Sequence, residues 1–215
     1  MKGRFITFEG IEGTGKSTQI LLLAEYLKSL GKQIVLTREP GGTTISDQVR
    51  KILLNPDNKG LDAKAELFLY AASRAQHLRD VILPSLVAGL TVLCDRFSDA
   101  TLAYQGYGRG LDIEMIRTID RLVTAGMRPD ITILLDIDAA TGVARAHGRN
   151  TSHGLEAEAR FENEELAFHE RVRQGYLILA GQEPSRIRIV DASLPPDAVQ
   201  AAIRACIQKP AMKTN

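Results

Sequence analysis

Cysteine is scarce: Cys94 and Cys206 are the only two in 215 residues, and neither has a Cys-x-x-Cys partner. A disulfide framework and a cysteine-based metal site are thereby excluded, and two free thiols in apolar stretches fit a reducing compartment. Net charge is nearly absent as well, since 27 basic and 26 acidic side chains leave +1. Bulk electrostatics therefore predict neither a nucleic-acid-coating surface nor a membrane-hugging one, and any bound anion must be held by a local site. No apolar run approaches the roughly 18 residues that a membrane span requires. The opening Met-Lys-Gly-Arg-Phe-Ile-Thr-Phe-Glu meets Glu9 before a secretory apolar region can form, so the expected location is cytoplasmic. Low-complexity tracts and internal repeats are missing. At about 150 residues per domain, the length favours one domain over residues 1–208, with 209–215 a frayed tail.

What the sequence does contain is alternation. Five short runs rich in Ile, Val and Leu (Arg4–Glu9, Gln33–Arg38, Thr91–Asp95, Ile131–Ile137 and Arg186–Val190) are separated by helix-like stretches. Apolar runs without period-two alternation indicate strands covered on both faces, which predicts an α/β, doubly wound parallel sheet of five strands with helices on both faces. Helices are expected over Lys16–Leu30, stopped by Gly31, over Asp112–Ala125 and over Pro195–Ile207. A longer one over Ala63–Leu90 should bend or break around Pro84. Two segments read as loops at the carboxyl edge of the sheet. Tyr104–Gly110, with three glycines, is expected to be a tight, backbone-exposing turn, and polar His147–Arg160 a small lid inserted after the fourth strand.

Gly10-Ile11-Glu12-Gly13-Thr14-Gly15-Lys16-Ser17 has the spacing Gly-x-x-x-x-Gly-Lys-[Ser/Thr] and lies between a strand and a helix. There the glycines let backbone N–H groups converge on phosphate oxygens, and the helix beginning near Gly15 adds its positive dipole end. Gly10 to Thr18 are thus the expected nucleotide cradle. Lys16 should reach the β and γ phosphates of ATP, and Ser17 should offer its hydroxyl to Mg²⁺, held also by Asp95 at the end of the third strand.

Such a cradle says only that a nucleoside triphosphate is bound, leaving a switch GTPase, an ATPase and a small-molecule kinase open. No Asn-Lys-x-Asp tetrad is present to read guanine, and Asp95 is followed by Arg96, not by a second acid. An arginine at that place suits grasping an anion more than polarising water. The four histidines, His77, His147, His153 and His169, lack ligand spacing and are expected at the surface without a role.

Asp95-Arg96-Phe97-Ser98-Asp99-Ala100-Thr101-Leu102-Ala103-Tyr104-Gln105-Gly106, with the cradle and Arg38-Glu39-Pro40-Gly41-Gly42-Thr43, resembles the thymidylate kinases. The resemblance runs from Arg4 to about Val190, and departs from the family at Ala100, where serine is usual and neighbouring Thr101 can supply the hydroxyl. It implies a P-loop nucleoside monophosphate kinase that moves the γ-phosphoryl group of ATP onto dTMP and is typically a homodimer. It implies further that Arg96 grips the acceptor phosphate with help from Arg50, that Tyr70 stacks on thymine, and that Arg74 donates to its O4. Thr101 and Gln105 would take the other polar edge of the base, and Tyr104 would crowd the 2′ position. Glu12 would meet the 3′-hydroxyl, with Glu39 near the sugar and phosphates. Without the resemblance, Tyr70 reads as helix core, Arg50 and Arg74 as a solvated helix face, and Arg96 as an ion-pair partner of Asp95; a kinase for another deoxynucleoside or nucleotide also stays open.

The acceptor phosphate is already anionic, so catalysis should be positioning and charge neutralisation, with no strong general base. The cradle's variable positions include Glu12 and no arginine, whereas the lid region holds Arg145, Arg149 and Arg160. This distribution resembles the bacterial-type enzymes that keep basic residues in the lid. Arg149, with Arg145, is the expected closing cation, and Arg160 is a weaker candidate that could simply restart the helix after the lid.

Overall fold

The computed structural model describes residues 3–153 and 160–208, and within these the side chains of 149–153 fall outside the description. Strands β1 (Arg4–Glu9), β2 (Ile34–Arg38), β3 (Thr91–Asp95), β4 (Ile131–Asp136) and β5 (Ile187–Asp191) form one sheet. Its order is β2-β3-β1-β4-β5, and every neighbouring pair is parallel. The helices around it are α1 (Lys16–Ser29), α2 (Thr44–Leu54), α3 (Ala63–His77), α4 (Leu83–Val87), α5 (Ser98–Thr101), α6 (Ile113–Thr124), α7 (Ala139–His153), α8 (Leu166–Gln182) and α9 (Pro196–Gln208).

The central strands are buried without interruption, from Phe5 to Glu9 in β1 and from Ile131 to Leu135 in β4. Successive β3 side chains enter different apolar clusters, Leu93 one and Val92 and Cys94 another, so each face of the sheet has its own core. The outer strands β2 and β5 are only partly buried, as edge strands are. This arrangement places the carboxyl ends of β1 and β3 side by side, with Phe8 paired to Asp95. Ligands of open α/β sheets bind at that edge.

Of two expectations, the break of the Ala63–Leu90 helix around Pro84 is present, and the loop at Tyr104–Gly110 is corrected. The irregularity before Pro84 is a π-helical turn over Leu78–Ile82, and Pro84 itself lies in the first turn of α4. Proline lacks the N–H that would reach back four residues, and the widened turn closes instead through Leu83 N–H to Leu78 O. The expected exposed turn at Tyr104–Gly110 is likewise a π-helical segment, Leu102–Gly108, with Tyr104, Gln105, Gly106 and Gly108 buried. Its glycines serve close approach: a Cβ on Gly106 would stand 2.4 Å from Ile113 Cδ1, and one on Gly108 2.7 Å from the Phe168 ring.

Of the expected lid, residues 147–153 continue α7, and 154–159 lie outside the described residues. Arg160 is buried and does not restart a helix, since α8 begins at Leu166; its guanidinium bonds Leu53 O and, at 2.6 Å, Glu66.

Candidate active site

The cradle is built by the turn from β1 into α1. Gly15, at φ 84°, caps α1 without any side-chain hydrogen bond, so the first-turn N–H groups are left for an anion. Glu12 through Thr18 line a cavity of about 520 Å³. Gly10 and Ile11, expected in the cradle, are not among its lining residues; their carbonyl oxygens accept from Lys16 Nζ at 3.0 and 2.7 Å. Burial, chiefly, and then the nearby Arg96 lower the Lys16 ammonium to about 8. Ser17 Oγ stands 3.4 Å from Asp95 Oδ2, which joins the end of β3 to the start of α1.

The cradle rests directly on α7. A Cβ at Gly13 would stand 1.9 Å from Gly142 O, and one at Gly142 2.7 Å from Glu12 O. Gly142→Ala must therefore push backbone against backbone. It is expected to cost about 1–3 kcal/mol and to lower the thermal midpoint by about 2–4 °C per kcal/mol, with a raised KM for ATP. An unchanged midpoint in a melting experiment contradicts this packing.

The other end of the cavity is assembled from α2, α3 and the segment after β3. Tyr70 and Arg74, four apart on α3, both line it, as do Glu39, Arg50, Arg96, Ala100, Thr101, Tyr104 and Gln105. Arg74 is buried, which excludes a solvated face: its Nε donates to Glu39 at 2.8 Å and its Nη2 to Thr101 Oγ1 at 2.9 Å. Arg50 Nη1 donates to Pro40 O at 3.0 Å. Burial and the nearby Glu66 carboxylate push the Tyr70 phenol upward, so it stays neutral.

Arg96 does not pair with Asp95. Its guanidinium donates to Gly10 O at 2.8 Å, Tyr176 Oη at 3.1 Å and Glu12 Oε1 at 3.0 Å, and lies 4.8 Å over the Tyr104 ring. Tyr104 Oη donates to the same Glu12 oxygen at 2.5 Å. Burial alone would raise the Glu12 carboxyl, but His169, Arg96, Lys16 and Tyr104 outweigh it and hold it at about 2. At the mouth, Arg145 lines the cavity while donating to Ala192 O at 3.1 Å; the side chain of Arg149 lies outside the described residues.

A single cavity thus joins the glycine-rich turn between β1 and α1 to a wall of aromatic and guanidinium groups, at the edge where the fold predicts ligands. The family model for thymidylate kinase matches residues 8–203. The chain belongs to the thymidylate kinase family. It is 58% identical over 189 residues to the thymidylate kinase of Syntrophotalea carbinolica, covering 88% of each chain. It is 57% identical to that of Trichlorobacter lovleyi, over 93% of this chain and 94% of the relative. A crystal structure of the Ehrlichia chaffeensis thymidylate kinase is 36% identical, with a TM-score of 0.77 over 97% of this chain and all of that one.

In this chain, a member of the family, two histidines expected at the surface are fully buried. His77 faces Glu39 at 3.0 Å and Thr37, and His169 Nδ1 is 3.2 Å from Glu12 Oε2 without the alignment of a hydrogen bond. Their partners are 38 and 157 positions away, so no local spacing reveals them. Glu9, also unassigned from sequence, is fully buried; it accepts from Phe97 N–H and Tyr176 Oη, both at 2.7 Å, and burial and then Asp99 raise it to about 8. Glu66, which carries Gln105, precedes Tyr70 by four, and extending the Tyr70–Arg74 interval backwards would have found it.

Proposed function

We propose that this chain transfers the γ-phosphoryl group of ATP to dTMP, giving dTDP and ADP for dTTP and DNA precursor synthesis, in the cytoplasm and as a homodimer. One observation carries the reading: Lys16 and the α1 amino terminus share a single cavity with Tyr70, Arg74 and Arg96.

In the reaction, Lys16 neutralises charge on the transferring phosphates and the α1 amide groups orient them. The acceptor phosphate attacks as an anion, so the chain supplies no general base. Arg96 holds that phosphate in line, Tyr70 stacks on the base, Arg74 donates to its O4, and Thr101 and Gln105 hold the other polar edge. Tyr104 and Glu12 bound the sugar, which favours a deoxyribose. The Ser17 hydroxyl and Asp95 carboxylate are hard oxygen donors on adjacent elements, a set that suits Mg²⁺ completed by water and nucleotide phosphates. Bound there, Mg²⁺ would neutralise phosphate oxygen charge.

ADP production tests the reading. Purified protein with ATP and magnesium is expected to respond strongly to dTMP and not to thymidine, cytidylate or water. No response to dTMP, or an equal response to thymidine, overturns it. Light scattering decides the homodimer; Phe68 on α3 and Leu122 on α6 leave apolar surface for it, at 57% and 84% exposure. No helix among the described residues is long and apolar enough to cross a membrane.

Arg149, four residues beyond Arg145 on α7, is assigned the closing cation. Arg149→Ala is expected to lower kcat roughly 100-fold while KM for dTMP changes little. An unchanged kcat removes Arg149 from the reaction.

A further inference from the structure

We propose that Glu66 sets the base preference of the site by fixing which end of the Gln105 side-chain amide faces the ligand. The inference rests on the reading of Gln105 as a base contact given above. Glu66 begins the α3 face that continues through Tyr70 and Arg74, and its side chain is 1% exposed. Gln105 Nε2 donates to its Oε1 at 2.8 Å, Arg160 Nη2 to its Oε2 at 2.6 Å, and Arg109 reaches both oxygens at 3.4 Å. Every partner is a donor, so the carboxylate accepts only.

A side-chain amide has one donor end and one acceptor end. Held against a carboxylate, Gln105 must turn its nitrogen to Glu66, and its Oε1, which has no partner among the described residues, is the end left for a ligand. Gln105 lines the cavity with Tyr70 and Arg74. The wall therefore offers an acceptor, Gln105 Oε1, and a donor, Arg74. An imide base edge, with N3–H beside a C4 carbonyl, matches both. A cytosine edge, with a lone pair on N3 and an amino group on C4, opposes both. If residue 66 could also donate, the amide could turn over and offer Nε2 to N3, and the Gln105 half of the discrimination would vanish. Arg109 and Arg160, lying over the Phe161 ring at 5.6 and 4.5 Å, hold Glu66 in place.

The test compares dissociation constants of dTMP and dCMP for wild type, E66Q, E66D, Q105L and the E66Q/Q105L double variant. E66Q is expected to lower the dTMP preference about tenfold or more, the share of one matched hydrogen bond exchanged for a mismatched one. E66D, still a carboxylate, should keep the preference within about threefold, and E66Q should add nothing in the Q105L background. A preference unchanged in E66Q, an equal loss for both nucleotides, or additivity with Q105L overturns the proposal. Should E66Q not fold, proton exchange of the Gln105 side-chain amide in the wild-type protein decides: exchange slower than at exposed glutamines supports the lock, and equal exchange overturns it. A wild type that fails to phosphorylate dTMP overturns the functional reading itself, whereas turnover of dTMP with an unmoved preference overturns only the part given to Glu66.

Discussion

Lys16→Met is expected to lower kcat roughly 1,000-fold, because it deletes the ammonium to which the proposed function assigns the transferring phosphates, while keeping a side chain of similar length. The fold should survive. The Lys16 charge is desolvated in the free protein, as its lowered pKa of about 8 records, so removing it relieves a cost even as the Gly10 and Ile11 carbonyl groups lose a donor. The same lowering makes a pH signature. In the free protein Lys16 loses its proton as pH rises through about 8, so kcat/KM for ATP should fall above that value, at most tenfold per pH unit. Bound phosphates favour the charged form, so kcat should hold to a higher pH. Initial rates across pH 7–10 check both; a flat kcat/KM in that range, or a Met variant within tenfold of wild type, contradicts the role given to Lys16.

The sheet was legible in the sequence because a strand buried on both faces leaves a run of apolar residues, and β1, β3 and β4 are such strands. The turn between β1 and α1 was legible for a related reason: its glycines recur at fixed intervals over one short stretch. Helix irregularities were not. A glycine at Gly106 or Gly108 permits either a turn or close packing, and only Ile113 and Phe168, brought in by other helices, decide for packing. The buried charge network was equally hidden. Glu12 meets Arg96, His169 and Tyr104 across separations set by the fold, and the oxygen that fixes Gln105 comes from a helix 39 residues earlier. Residues proposed to touch a ligand lie in motifs, whereas one proposed to aim them, Glu66, leaves a signal only through the α3 face that it shares with Tyr70 and Arg74.

Arg96 carries the second large effect, and its backbone makes it separable from mere loss of fold. It adopts φ 68°, a left-handed conformation that strains any residue with a Cβ. Its guanidinium donates to Gly10, Tyr176 and Glu12 and lines the cavity to which the proposed function brings the acceptor phosphate. Arg96→Ala should lower kcat/KM for dTMP roughly 1,000-fold, and stability should fall because Glu12 stays buried without its guanidinium partner. Arg96→Gly removes the same cation, so the catalytic loss should be equal. Glycine, however, occupies the left-handed region without penalty, and the Gly variant should be about 1 kcal/mol more stable than the Ala variant. Denaturant unfolding of the pair, with initial rates on each, isolates the two effects. Equal stabilities would mean that the turn after β3 is not strained by residue 96, and a Gly variant more active than the Ala variant would mean that part of the catalytic loss came from the backbone and not from the missing charge.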